Sequence, residues 1–279
     1  MYILKMHIIT VATDRNTFLE DWEKSAKLWG YNFSVLAEGQ DWEGFKTYTN
    51  AIINFLKTRP SNEIIVNLDC YDVIISGPPE ELLQKFLSFQ KDIVTGGEDV
   101  CIFNCHRHSC HVNNDKYKWV NSGFVMGSAS ELLKLFEFII LDSPGDDQIG
   151  VAKYMDTYPH KVAVDGNQMI VANIRSIDEL NCIANNRFQH YQTQHIPVIV
   201  HTPFMYSDFG ARSEMVRHHA LKKYKKPPFG TYVKGLISHL YKHLTKNPAY
   251  SSVLYTLYAI ICVILVYISY KIGKQFSWI

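Results

Sequence analysis

Apolar positions along this chain recur at two different spacings, and the alternation between them predicts the fold. Short apolar runs at 2–13, 33–36, 63–68, 93–95, 119–126, 162–164, 168–171 and 196–200 have the length and Val/Ile content of strands. The run Ile64-Ile65-Val66-Asn67-Leu68 reads as a strand buried on both faces, as in a parallel sheet. Between these runs the apolar residues step by three and four. Phe18, Leu19, Trp22, Ala26 and Trp29 predict a helix over 16–29. Further helices are predicted over 45–56, from Pro78-Pro79 to about 89, over 130–141 with Ser130 as cap, and from Asp146 to about 154. Strands alternating with helices imply βαβ units, hence an α/β fold with a mostly parallel sheet flanked by helices. Residues 96–118 are polar and irregular, except that Trp119 to Met126 resumes as a strand interrupted at Asn121-Ser122-Gly123.

The pattern changes near the C-terminal end. From Asn247 to Tyr270 no residue is charged, and 253–268 is almost wholly apolar or aromatic. That run exceeds the ~18–20 residues a helix needs to cross a hydrocarbon core. Tyr250, Tyr255, Tyr267, Tyr270 and Trp278 lie toward its ends, as an interfacial belt would. The expected organisation is a globular domain at 1–205, a basic stem at 206–247, a transmembrane helix at 248–270 and a short tail at 271–279. The first residues lack a basic stretch before a long apolar core, so they read as a first strand and not a signal peptide. Lys222, Lys223, Lys225, Lys226, Lys234, Lys242 and Lys246 precede the span against Lys271 and Lys274 after it, which favours a cytosolic domain.

Composition narrows the partners. The 28 basic and 27 acidic residues leave a formal charge of +1, too little for a field that would hold nucleic acid. The 6 cysteines show no framework spacing. Cys101, Cys105, His106, His108, Cys110 and His111 cluster in the irregular segment, but their spacing fits no common zinc pattern. A loop beside an acceptor, a zinc site and a single disulfide all stay open there.

Candidate chemistry begins where the strand at 63–68 ends, in Asp69-Cys70-Tyr71-Asp72. Open α/β sheets bind ligands at the carboxyl ends of their strands. Two carboxylates there can share a hard divalent cation that keeps positions free for phosphate oxygens. Turn capping is the plainer alternative. A phosphatase with an aspartyl nucleophile places its acids two apart, whereas these are three apart.

Five segments in one order carry a resemblance: Ile9-Thr10-Val11-Ala12-Thr13; Asp69 to Ile74 with Gly77 and Glu81 to Phe86; Val120-Asn121-Ser122-Gly123-Phe124; Asp146-Asp147-Gln148; and Pro197-Val198-Ile199-Val200-His201. Together, over about 8–204, they resemble the glycosyltransferase domain of the multifunctional procollagen lysyl hydroxylases. The resemblance implies a GT-A (Rossmann-like) fold, Mn²⁺, and a UDP-sugar donor, UDP-glucose or UDP-galactose. It implies Asp69, Asp72 and His201 as metal ligands, although a lone His after a strand is also commonly just hydrogen-bonded. It sets Tyr71 against the uridine, Thr10, Val11 and Thr13 around the nucleoside, Trp42 on the uracil and Lys46 on the donor. Trp42 also reads as a loop hydrophobe folded back on the domain.

By the same likeness Asp146 and Asp147 face the sugar and acceptor, with Asn121 and Ser122, then Asp165 and Asn167, on sugar hydroxyls. Helix capping is the alternative for the two adjacent acids. Two departures stand out: Thr202-Pro203-Phe204 replaces a Gly-rich segment that would hug phosphate, and Cys101-Ile102-Phe103 replaces an expected aromatic.

The expected activity is retaining transfer of a hexose, glucose foremost, to a hydroxyl acceptor such as the galactosyl-hydroxylysine of a collagen-like protein. Collagen-type acceptors are lumenal while the lysines favour a cytosolic domain, so membrane sidedness stays open, as does oligomeric state. The rivals are a degenerate membrane-anchored module that binds a nucleotide-sugar or glycan without transferring it, and a metal-dependent phosphohydrolase.

Overall fold

The computed structural model describes residues 5–100, 116–175, 177–203 and 220–221. The expected membrane helix and tail, most of the stem, and the loop from Cys101 to His111 lie outside those residues. Among the described residues no helix is long and apolar enough to cross a membrane.

The order is β1 (Met6–Val11), α1 (Thr17–Leu28), β2 (Phe33–Leu36), α2 (Phe45–Leu56), β3 (Ile64–Leu68), β4 (Val73–Ile75), α3 (Pro79–Ser88), β5 (Ile93–Glu98), β6 (Trp119–Ser128), α4 (Ala129–Asp142), α5 (Asp147–Thr157), β7 (Val162–Asp165), β8 (Val171–Asn173), β9 (Leu180–Ile183), β10 (Arg187–His190) and β11 (Ile199–His201). Six strands form the main sheet in the order β2-β1-β3-β6-β5-β7. The sheet keeps a parallel majority but is mixed: β2, β1 and β3 are parallel and β7 is parallel to β5, while β6 runs antiparallel to both β3 and β5. A second sheet, β4-β11-β8, lies beside it, and β9 and β10 make a hairpin that the apolar pattern did not mark.

Alternation along the strands sorts side chains into two cores. Ile9, Ile65 and Val125 pack with Ile52, Leu135 and Val151 from α2, α4 and α5. Their neighbours Ile8, Val66 and Met126 pack with Trp22 of α1, Phe86 of α3 and Ile199 of the small sheet. Successive residues of a strand face opposite sides, so each buried strand serves both layers. The small sheet repeats this, with Ile75 and Val171 on the second core and Ile74, Ala172 and Val200 against Phe188 of the hairpin.

Local chemistry sets the boundaries. Ser128, two residues before the expected cap, accepts the Glu131 N–H and starts α4. The strand expected at 168–171 begins later, because Gln168 adopts φ 54° and Asp165 gathers the following amides. The Asp165 carboxylate accepts the N–H groups of Met169, Ile170 and Val171 at 2.9, 2.7 and 2.9 Å. It is fully buried and committed to this loop, so it is not placed to hold a sugar hydroxyl. Asn167, by contrast, is exposed.

Between Thr95 and Gly96 the register of β5 on β6 shifts, so that residues 122–124 bulge out of the ladder. This is the interruption expected at Asn-Ser-Gly, and a bulge of this kind re-aims side chains toward a site. Replacing Asp165 by Ala should cost about 3 kcal/mol in urea unfolding, since it strands buried amides. An unchanged midpoint would contradict the structural role of this carboxylate.

Candidate active site

Asp69 leaves the end of β3, Asp72 enters β4, and His201 closes β11, which pairs with β4 through His201 opposite Val73. The strands thereby bring three groups from distant parts of the chain together. One ligand atom from each of Asp69, Asp72 and His201 lies within 4.8 Å of the others. His201 Nε2 is 3.3 Å from Asp72 Oδ2 and 3.8 Å from Asp69 Oδ2.

Backbone bonds hold this arrangement. Asp69 N–H donates to Gly123 O at 3.0 Å, while the Thr202 N–H and hydroxyl both donate to Asp72 O, at 2.8 and 3.1 Å. The threonine that replaces the expected glycine thus ties β11 to the second acid. Asn173 Nδ2 donates to Gly97 O at 2.9 Å, which turns its Oδ1 toward His201 Nδ1 at 2.6 Å. His201 therefore carries its proton on Nδ1 when neutral, leaving the Nε2 lone pair toward the acids.

Nε2 is buried and has no well-formed hydrogen bond. Gly123 closes the cradle: a Cβ there would lie 2.3 Å from His201 Cε1 and 2.9 Å from Asp69 Oδ2. Two carboxylates, an unpartnered imidazole nitrogen and a position that admits no side chain fit a hard or borderline divalent cation such as Mn²⁺.

The electrostatics agree. Burial, then the Asp72 charge, push the Asp69 carboxyl above its ordinary range, although 41 % of its side-chain surface stays open and water tempers the rise. Burial opposes the charge on His201, but Asp72, Asp69 and Glu98 outweigh it and hold the imidazole above its ordinary value. The cluster keeps protons that a cation would replace.

A second group of polar residues adjoins the triad. Asp146 caps α5, its Oδ1 accepting the Ile149 N–H at 2.9 Å. Asp147 is the buried member of the pair, 8 % exposed. Burial raises it to about 6, with the Ser122 hydroxyl partly offsetting. Its charge also acts on Asp69, so the two acids share one region.

Glu98, at the end of β5, was not among the sequence-derived site residues. It is buried and accepts from Gln148 Nε2 at 2.8 Å and Asn121 Nδ2 at 3.4 Å. Burial lifts it to about 7. The available signal was the one that marked Asp69: an acid closing an apolar strand. Asn121 also accepts the Gly123 N–H at 3.0 Å, so its amide braces both Glu98 and the glycine.

Thr10 is buried and donates to Leu68 O at 2.7 Å, bonding β1 to β3. Val11 is buried beneath the end of β1. Thr13 O accepts the Gly39 N–H at 3.0 Å. The Tyr71 hydroxyl donates to Asp14 O at 3.0 Å, which holds its ring beside the β1–α1 turn. Trp42 is 52 % exposed and packs edge-on to Phe45 at 6.4 Å. Lys46 lines a groove along α2 that none of Asp69, Asp72 and His201 lines.

With this geometry in view, comparison with known proteins defines the class. The profile of the PLOD GT domain matches residues 3–205. The chain belongs to this family, and its described part is a glycosyltransferase-type domain. Mouse procollagen-lysine,2-oxoglutarate 5-dioxygenase 2 is 30 % identical over 171 residues, covering 54 % of this chain and 22 % of that protein. The rat multifunctional procollagen lysine hydroxylase and glycosyltransferase LH3 is 26 % identical over 217 residues, covering 71 % and 29 %.

Uncharacterized protein R699 of Acanthamoeba polyphaga mimivirus is 26 % identical over 191 residues, covering 64 % and 41 %. The chain thus spans less than half the length of each of these relatives. Among solved structures, a glycosyltransferase involved in glycosylation of the major capsid of PBCV-1 aligns with TM-score 0.46 and 17 % identity, covering 77 % of this chain and 99 % of that one. The galactosyltransferase LgtC, in complex with donor and acceptor sugar analogs, aligns with TM-score 0.44 and 12 % identity, covering 82 % and 99 %.

Two outcomes test the cradle. Gly123→Ala should lower Mn²⁺ affinity at least 100-fold by calorimetry while thermal unfolding stays cooperative, and wild-type affinity would contradict it. Because the Asp69 carboxyl, raised to about 7, holds a proton that the cation displaces, Mn²⁺ should bind more tightly as pH rises toward 7, by up to about tenfold per pH unit, with the gain from this group fading above about 7. Affinity independent of pH would contradict the proton–metal exchange.

Proposed function

We propose that this chain is a manganese-dependent retaining glycosyltransferase. It would move a hexose, glucose foremost, from a UDP-sugar to a hydroxyl such as that of galactosyl-hydroxylysine in a collagen-like protein. Residues 248–270 would anchor it to a membrane as a single span. The observation that carries the reading is the convergence of Asp69, Asp72 and His201 around a position that Gly123 keeps clear.

Those three residues would hold the Mn²⁺. Bound there, it would offset charge on the diphosphate leaving group and fix its orientation. Tyr71, beside the β1–α1 turn, supports a nucleoside in the crevice where a doubly wound sheet receives one. Asp147 is ionised above about pH 6 and offsets positive charge developing at the anomeric carbon. Ser122 steadies that carboxylate. Glu98, near half-protonated at neutral pH, can donate or accept a hydrogen bond at a sugar hydroxyl, with Gln148 and Asn121 setting its direction.

UDP release from UDP-glucose, with an acceptor panel, is the test. It should require Mn²⁺, stop with EDTA, and fall at least 100-fold in Asp69→Ala. Full activity surviving both the chelator and the substitution would overturn the mechanism. UDP binding without turnover on any acceptor would favour the binding-module rival.

A further inference from the structure

A groove of about 720 Å³ lies along α2, between the end of β2 and the residues just beyond the helix C-terminus. Its lining is mostly polar and includes Gln40, Asn50, Asn54 and Thr58, with Ala51 and Phe55 as apolar neighbours. Asn50 and Asn54 are one helical turn apart and share a face. Among the described residues neither side-chain amide has a hydrogen-bond partner. Each therefore offers two N–H donors and a carbonyl acceptor to the groove.

Helix stability does not explain these residues. Asn and Thr are poor helix formers, and an exposed helix face ordinarily carries Glu, Lys or Gln. From Thr47 to Leu56, α2 has no charged residue at all. The charges at the rim are Lys46 against Asp41 and Glu43, an acidic balance that disfavours phosphate or sulfate. Strand addition by a peptide is limited too. The edge strand β2 is 4 residues long, and Ala37 at φ 63° turns the chain away immediately after it. Two free amides beside small apolar surfaces, with the Thr58 hydroxyl able only to accept because it donates to Phe55 O at 2.7 Å, suit a ligand that presents adjacent hydroxyls on an apolar ring face.

We propose that this groove is a subsite for a neutral oligosaccharide, holding the part of a glycan acceptor remote from the hydroxyl that reacts. The carbohydrate class follows from the lining, while the link to transfer rests on the transferase reading above. The helix couples the two places. The loop before it carries Trp42, and its buried Tyr48 hydroxyl accepts from Asn67, two residues before Asp69 on β3.

The experiment uses the full chain on a printed array of neutral, sulfated and phosphorylated glycans, comparing wild type with the Asn50→Ala/Asn54→Ala double variant. Alanine favours the helix, so the variant should fold, and a circular-dichroism melt checks that it does. Wild type should bind neutral glycans, and the variant should bind them at least tenfold more weakly. Mn²⁺-dependent hydrolysis of UDP-glucose without acceptor should be the same in both. Absence of neutral-glycan binding, equal binding by the variant, or preference for the anionic glycans would overturn the subsite. If wild type releases no UDP from a UDP-sugar on any acceptor of the panel yet binds neutral glycans through these amides, the transferase reading fails and the subsite stands.

Discussion

The convergence of two carboxylates and an imidazole at the ends of three strands is the constraint on which the site depends. Asp69 and Asp72 are brought to one point by β3 and β4, and His201 arrives there from β11. Crowded acids with restricted hydration cannot all ionise at little cost, so they take up protons or a cation. Much of the surrounding structure fixes the three groups in that crowded position. Gly123 supplies room and a carbonyl for the Asp69 amide, Asn173 fixes the imidazole, and Thr202 bonds the Asp72 carbonyl from 130 positions away.

The same constraint explains the irregularities of the sheet. β6 runs antiparallel between β3 and β5 and bulges at 122–124, where it passes the acids. In this stretch Gly123 passes His201, where a Cβ would lie 2.3 Å from its Cε1, and Ser122 bonds Asp147. Gly96 faces a related limit, since a Cβ there would lie 2.9 Å from Asn173 Nδ2. Glycines at these two positions keep the ligand cradle and its supporting amide in contact.

Much of this was legible in the sequence, and the reasons for the rest are physical. Helices α1, α2 and α3 followed the three-to-four spacing, and β3 announced itself as an apolar run ending in acids. His201 was legible through the family resemblance, because a lone histidine after a strand carries little signal by itself. Glu98 and Asn173 were missed, since their roles depend on partners that lie far off in sequence, Gln148 and His201. Asp165 shows the opposite error: an acid after a strand resembles a ligand, yet its oxygens bind the next turn's backbone. The antiparallel course of β6 is set by tertiary pairing, to which apolar periodicity is blind.

Anomalous diffraction at the manganese edge, from a crystal soaked with Mn²⁺ and UDP, examines the founding interaction directly. The expected map has one strong peak coordinated by Asp69, Asp72 and His201 Nε2, with diphosphate oxygens on its open side. A map without a peak there, or with the carboxylates turned away from His201 toward solvent, would contradict it.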